Sequence, residues 1–240
     1  MLPRRGRDGG DRGRTPGRVR TKAKRAKKKP HAEDASAQKN APRGARLTTE
    51  ATTAHRLKIE LVDVKPRVWR RIEIASGAKL PFVSHVLLAA MGWTDSHLHA
   101  FEARGVRYGT RDPDFPDNTR SERSVRLADI APNVKDRFLF DYDFGDGWKH
   151  RVTVEAVGET TDADVPRCIA GARACPPEDC GGPGGYVELL EILADPEREE
   201  HQRMRSWVGP DFDPREFDLV GTNETLRRLA RRRRAPRRLD

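Results

Sequence analysis

Residues 55–64, His-Arg-Leu-Lys-Ile-Glu-Leu-Val-Asp-Val, alternate apolar and polar positions. Leu57, Ile59 and Leu61 fall on one side of an extended chain, which predicts a half-buried strand. Lys65 and Pro66 supply a turn, and residues 67–74 alternate again with Val68, Arg70, Ile72 and Ile74 on one side. The two segments predict an antiparallel hairpin. The period then changes. Leu80, Val83, Leu87, Ala90 and Met91 recur at helical spacing, with Ser76 as the expected N-cap and Gly92 as the stop.

A strand is expected from His97 to about Arg104, turning at Gly105, and residues 111–123 read as a polar loop rich in Asp and Pro. A short turn or helix over 127–130 leads into a strand over 136–143. Gly145-Asp146-Gly147 forms a hairpin tip, because glycine tolerates positive φ. The returning strand covers 148–157. Residues 166–185 read as a Cys- and Gly-rich loop, and helices are expected over 185–194 and 197–208. Phe212, Phe217 and Leu219 form a last apolar cluster expected to pack on the globule, and a short Arg-rich helix is expected near Glu224. About five or six strands, mostly antiparallel, with one early packed helix and C-terminal helices, make an α+β fold. The expected organisation is a disordered basic tail and linker over 1–54, a folded domain over 55–222 and an Arg-rich tail over 223–240.

Composition sharpens that division. Hydrophobic and charged residues each make up 35% of the 240 residues, a balance that points to unfolded segments beside a folded one. Residues 1–30 hold 13 Lys/Arg against two acids, and residues 227–240 hold eight Arg against one, so the net +10 belongs to the ends and the middle is acidic. Arg18, Arg20, Lys27, Lys28 and Lys29 at one end, and Arg231, Arg232, Arg233 and Arg234 at the other, are candidates for non-specific contact with nucleic-acid phosphates. A solvated extension without a partner is the competing reading. No apolar run approaches the roughly 18 residues of a membrane span, and no apolar segment follows the basic N-terminus as a secretory signal requires. The expectation is a cytoplasmic protein. Three cysteines are too few for a disulfide scaffold.

Three segments carry chemistry. In Trp93-Thr-Asp-Ser-His-Leu-His99, two histidines two apart on a strand would share a face and could ligate one metal. In Asp141-Tyr-Asp-Phe-Gly-Asp-Gly-Trp-Lys-His150, carboxylates, aromatics and an imidazole crowd one hairpin tip. His97, His99, Asp143, Asp146, Trp148 and His150 therefore make a candidate cleft for acid–base or metal chemistry. The spacing is not that of an EF-hand, since Val152 stands where the closing Glu would be. In the third segment Cys168, Cys175 and Cys180, with His150, could form a structural zinc site; buried free thiols or a labile Cys175–Cys180 disulfide are the alternatives. Glu178 and Asp179 lie between the last two cysteines. Each faces water, caps the following Gly-rich turn, pairs with a cation such as Arg67, Arg70 or Arg71 and pins the loop to the sheet, or joins the cleft. No GxSxG, HExxH or Rossmann glycine pattern occurs.

Taken together, Pro66-Arg-Val-Trp-Arg-Arg71, Met91-Gly-Trp-Thr-Asp-Ser-His-Leu-His99, Tyr142-Asp-Phe-Gly-Asp-Gly-Trp-Lys-His150 and Ala174-Cys-Pro-Pro-Glu-Asp-Cys-Gly-Gly-Pro-Gly-Gly-Tyr186 resemble the Ri-plasmid ORF-3-like family. Its members also bear the name of insertion-element passengers of a resolvase type. The resemblance covers about residues 55–220 and implies a bacterial α+β domain of plasmids and mobile elements with no assigned reaction. No nucleophilic serine in an Arg-rich site and no helix-turn-helix can be identified, so recombinase chemistry is not carried over. In the family's pattern an apolar residue often stands at the position of Cys180, which moves weight from the cysteines to His97, His99, the Asp-rich turn, Glu178 and Asp179. Two expectations follow. One is a binding module for a protein partner with tails on nucleic acid; the other is a hydrolase using zinc or another divalent metal in the His/Asp cleft.

Overall fold

The computed structural model describes residues 52–110, 118–160 and 166–234. The N-terminal basic segment with Arg18, Arg20, Lys27, Lys28 and Lys29 lies outside them. The strands are β1 (Thr52–Leu61), β2 (Trp69–Ala75), β3 (His99–Ala103), β4 (Val106–Gly109), β5 (Arg120–Ser121), β6 (Arg137–Tyr142), β7 (Trp148–Thr160) and β8 (Arg167–Ala172). The helices are α1 (Leu80–Met91), α2 (Leu127–Ile130), α3 (Gly182–Ala194), α4 (His201–Val208) and α5 (Leu219–Arg234).

The eight strands form one sheet in the order β5-β4-β3-β6-β7-β1-β2-β8. Every neighbouring pair is antiparallel except β4–β5. The fold is α+β, as the pattern predicts. The sheet has more strands than expected because β4, β5 and β8 do not announce themselves. β8 contains Cys, Gly and two Ala, which have little β-propensity, and it is a strand because β2 offers a ladder.

Alternation sets the two faces. On β1 and β2 the side chains of Leu57, Ile59, Leu61, Ile72 and Ile74 are buried, as is Val68 just before β2. Removing each of these from water contributes about 1.5–3 kcal/mol. The intervening positions carry ions in a ladder across the strands: Arg56 and Arg167 both meet Glu73, and Arg71 meets Glu155. α1 buries Leu80, Val83, Val86, Leu87, Leu88, Ala90 and Met91, and α5 packs against both α1 and β8. α5 begins at Leu219 rather than near Glu224 and runs across residue 223; Leu226 is fully buried and Leu229 packs on the core. Phe212 and Phe217 pack on the core too, while Leu219 is exposed. Asn223 on α5 reaches β8 and bonds both backbone groups of Cys168: the Cys168 N–H donates to Oδ1 at 2.9 Å, and Nδ2 donates to the Cys168 carbonyl at 2.9 Å.

Ser76 does not cap α1. The N-cap is Lys79, without a side-chain bond. The Ser76 hydroxyl instead meets Nδ1 of the buried His55 at 2.8 Å, and Nε2 of His55 donates to the Ala131 carbonyl at 2.9 Å. Burial lowers the pKa of His55. At the other end α1 stops at Gly92, whose φ is +121°. There the fully buried guanidinium of Arg70 donates to the carbonyls of Ala90 (3.0 Å) and Met91 (3.3 Å), and also to those of Trp69 and Ala172 (2.9 Å each). The ring of Phe217 covers it at 3.9 Å. A cation at a helix C-terminus compensates the partial negative charge there, which is how this charge can be buried without a carboxylate.

Candidate functional site

Three loops meet at one end of the sheet. The first, residues 92–98, leaves α1 at Gly92 and enters β3 only at His99. Trp93 anchors it, its indole N–H donating to the Pro176 carbonyl at 3.0 Å. Asp95 takes φ of +64°, so the chain turns here, and His97 precedes the strand. His97 and His99 therefore do not share a face. Nε2 of His99 lies 3.2 Å from the Glu122 carboxylate, and its ring packs against Phe101 and Phe140.

The second loop is the β6–β7 hairpin tip. Asp143 sits at φ +54°, and its Oδ1 accepts from the N–H groups of Gly145 (3.0 Å) and Asp146 (3.3 Å). One carboxylate oxygen thus builds the turn and leaves Oδ2 directed towards His97, 3.7 Å from Nε2. The third loop, residues 173–181, docks on this tip: Gly181 donates to Oδ2 of Asp146 at 3.1 Å. A Cβ on Gly182 would run into the Asp146 carbonyl, and one on Gly185 into the Cys180 carbonyl. The Gly-rich run therefore allows close docking of α3 on the hairpin, and the loop lies beside the Asp-Gly-Trp hairpin as expected.

Glu178 and Asp179 do not pair with arginines. Arg67 meets Glu60, Arg71 meets Glu155, and Arg70 is spent on backbone carbonyls. Glu178 Oε1 accepts instead from the Thr94 N–H (2.9 Å), the Thr94 hydroxyl (3.1 Å) and the Tyr142 hydroxyl (3.0 Å). Burial, then the neighbouring Glu178, pushes the Tyr142 phenol up to about 12, so it remains a donor. Asp179, at φ +56° and largely exposed, brings Oδ1 to 3.2 Å from Nε2 of His97.

His97 Nε2 is thus shielded from water and faces Asp179 at 3.2 Å, Asp143 at 3.7 Å and Glu178 at 4.0 Å, yet it makes no hydrogen bond. The Asp179 approach is close but off the axis of the N–H. Ligand atoms of His97, Asp143 and Asp179 all lie within 4.8 Å of one another. For comparison, ligands about 2.1 Å from a tetrahedral zinc are about 3.4 Å apart.

The other candidates do not join this cluster. Asp146 is used on Gly181. Trp148 and His150 are core residues with no exposure: Trp93 packs tilted against Trp148 and edge-on against His150, and His150 Nδ1 donates to the Phe140 carbonyl at 2.9 Å. Burial pushes the His150 pKa down to about 4. The expected single cleft of His97, His99, Asp143, Asp146 and His150 is therefore not assembled. Neither is a Cys168–Cys175–Cys180–His150 zinc site. The thiols are free, and the only metal-competent group among the described residues is that of His97, Asp143 and Asp179. Burial pushes all three thiols up in pKa. Thr94, Ser96 and Tyr142 are site residues that pattern alone passes over, because hydroxyls acquire their role only when the loops meet.

A family model for plasmid pRiA4b ORF-3-like proteins matches residues 53–220. An uncharacterised protein named y4hQ from Sinorhizobium fredii is 37% identical over 177 residues, covering 73% of this chain and 91% of its own. The crystal structure of MM3350, a protein of unknown function from Methanosarcina mazei, superposes with a TM-score of 0.64 at 34% identity, covering 70% of this chain and 96% of its own.

Proposed function

Since the chain belongs to the plasmid pRiA4b ORF-3-like family, whose two relatives here carry no named activity, we propose its function from the cluster itself. His97, Asp143 and Asp179 hold a divalent cation, zinc or another first-row metal, and the domain uses it for hydrolysis. The observation that carries this is the unbonded, shielded Nε2 of His97 facing three carboxylates. A buried polar atom without a partner is costly, and clustered like charges repel; one cation removes both penalties. Imidazole with carboxylate oxygens suits zinc or manganese. A bound cation would lower the pKa of a water in an open coordination position. Asp179, exposed, would hold the cation at its solvent side, and Glu178, fixed by Thr94 and Tyr142, would be the neighbouring carboxylate able to accept a proton.

The test is metal analysis of the purified protein with zinc and manganese titrations, followed by assay on model esters and phosphoesters. One cation per chain, lost in His97→Ala, is the expected result, with the melting temperatures of wild type and variant alike in chelator and only the wild type raised by added metal. Equal affinity in wild type and His97→Ala overturns the reading.

A second reading is favoured by α5. It exposes Arg227, Arg228, Arg231, Arg232 and Arg233; Arg228 also meets Glu224, and Arg233 stacks on Phe82. Such a row would add sequence-indifferent contact with nucleic-acid phosphates, as would the N-terminal basic segment. Substitution is the right probe at the C-terminal end, because deletion from residue 227 would remove Leu229 from the core. Changing Arg227, Arg228, Arg231 and Arg232 to Ala should flatten the salt dependence of DNA binding by about 0.9 in log–log slope for each phosphate no longer neutralised. An unchanged slope rejects this second reading.

A further inference from the structure

The sheet has a second face. Alternation turns the core residues of β6 and β7 to one side, and on the other side Arg137, Lys149 and Arg151 are exposed. Cations on an open sheet face are ordinary where acids answer them across the strands. Here the acids opposite are already engaged. Asp141 faces Lys149 in the register, but its carboxylate is held by Arg107 at 3.0 Å. Glu60 faces Arg151, but its carboxylate meets Lys58 at 3.0 Å and Arg67 at 3.5 Å. Arg137 faces Thr153, which has no charge to offer. The three cations therefore meet no carboxylate among the described residues, in a chain whose middle is acidic overall. They are also close together. Lys149 and Arg151, two apart on β7, share this face at about 7 Å, and Arg137 lies diagonally across from Arg151 at about 7–8 Å. Neighbouring like charges repel, and a row of anions relieves them. A ring stands at the head of the row. Phe144, at the tip of the same hairpin, is 52% exposed, and the guanidinium that holds Asp141 lies over it, 5.2 Å from the ring centre.

We propose that this open face binds single-stranded nucleic acid. Successive phosphates follow Lys149, Arg151 and Arg137, and a base stacks on Phe144. The cations are spaced like the phosphates of an extended strand, and an exposed aromatic ring beside a basic track is what a single strand can use, because its bases have free faces. A duplex could meet the same cations but keeps its base faces stacked inside, so the ring would gain it nothing. An acidic peptide would use the charge and leave the ring idle as well. This surface is distinct from the arginines of α5, which lie on a helix packed against α1 and β8, and it does not rest on the cation reading.

The probe is a fluorescein-labelled oligothymidylate of about 12 nucleotides, within the span such platforms cover, added to the full-length protein and followed by anisotropy over a salt series. The N-terminal basic segment and α5 are common to every variant, so differences between variants report on the sheet face. Changing Arg137, Lys149 and Arg151 together to Ala should flatten the log–log salt slope by about 2, at about 0.7 for each phosphate of a single strand no longer neutralised. Phe144→Ala should weaken binding of the oligothymidylate by about fivefold or more, the usual cost of losing a stacked base. It should leave the salt slope as in wild type, because the ring neutralises no phosphate, and should leave affinity for a duplex of the same length unchanged. All four side chains are exposed, so melting temperatures should stay close to wild type. A wild-type slope in the triple variant overturns the proposal. So does wild-type affinity for the oligothymidylate in Phe144→Ala, or an equal loss on single strand and duplex. Polyglutamate that displaces the oligothymidylate at equal charge concentration, in wild type and Phe144→Ala alike, would make an acidic protein segment the occupant and overturns it too.

Discussion

The Tyr142 hydroxyl donates to Glu178 at 3.0 Å while its oxygen accepts the Ser96 N–H at 3.0 Å. One phenol thus joins the loop that carries His97 to the loop that carries Asp179. Tyr142→Phe keeps the ring, which packs on Trp93 at 5.2 Å, and removes only the junction. Cation affinity by calorimetry should fall about tenfold, as it does when groups that orient metal ligands are lost. Unchanged affinity would mean that Glu178 is held by Thr94 alone.

Arg70 should be among the most sensitive positions in the domain. Arg70→Met leaves the carbonyls at the end of α1 and on β8 without their donor. The expected loss is about 3 kcal/mol or more in urea unfolding, from several buried acceptors left unpaired. Arg70→Lys should recover little, because an ammonium cannot reproduce the planar fork. A loss below about 1 kcal/mol in Arg70→Met would show that water satisfies these carbonyls as well as the guanidinium does.

His150 makes the fold sensitive to acid. Its folded-state pKa is about 4 against 6.5 unfolded, so in this window the unfolded chain binds a proton that the native one does not. Its neutral form is fully compatible with folding above pH 6.5, and stability falls as pH drops from there towards 4. The size is on the order of 3 kcal/mol. His55, lowered by burial as well, acts in the same direction. Urea midpoints across that range should show a shallower slope in His150→Gln than in wild type. Parallel slopes would exclude His150 as the cause.

Two glycines two residues apart should respond differently. Gly182 has φ of +69°, and a Cβ there would strike the Asp146 carbonyl; Gly184 has nothing within 4 Å. Gly182→Ala should lower both the melting temperature and cation affinity, because α3 can no longer dock on the hairpin tip. Gly184→Ala should leave both close to wild type. Identical behaviour of the two variants would show that the close approach is dispensable.

The central hairpins are readable from the sequence because alternation over Leu57–Leu61 and Val68–Ile74 has one simple cause, a sheet with one covered face. β8 and the start of β3 are not. β8 is a strand by virtue of its neighbour, and His97 leaves the strand because Asp95 adopts a left-handed conformation that no spacing announces. The Asp-rich turn and the Glu178–Asp179 pair are readable as site material from their density of charge. Which histidine they meet is not. Sequence proximity favours His150, but strand alternation sends that imidazole into the core with Trp148. The arginine partners are hidden for a related reason: Arg70 shares the apolar side of β2, so it meets the carbonyls that end there rather than Glu178 or Asp179.

The Asn223 amide, bonded to both backbone groups of Cys168, determines how this sheet ends. An outermost strand with free N–H and C=O groups invites another chain to add to the ladder. On β8 that invitation is withdrawn near its start by a side chain that imitates a neighbouring strand, with α5 lying alongside. At the opposite end β5 is only Arg120–Ser121, too short and too polar to recruit a neighbour. The sheet is thereby closed to fibrillar growth without being closed into a barrel. Asn223 also carries a second burden: its loss would expose a template for intermolecular pairing on a strand whose own sequence scarcely favours being one.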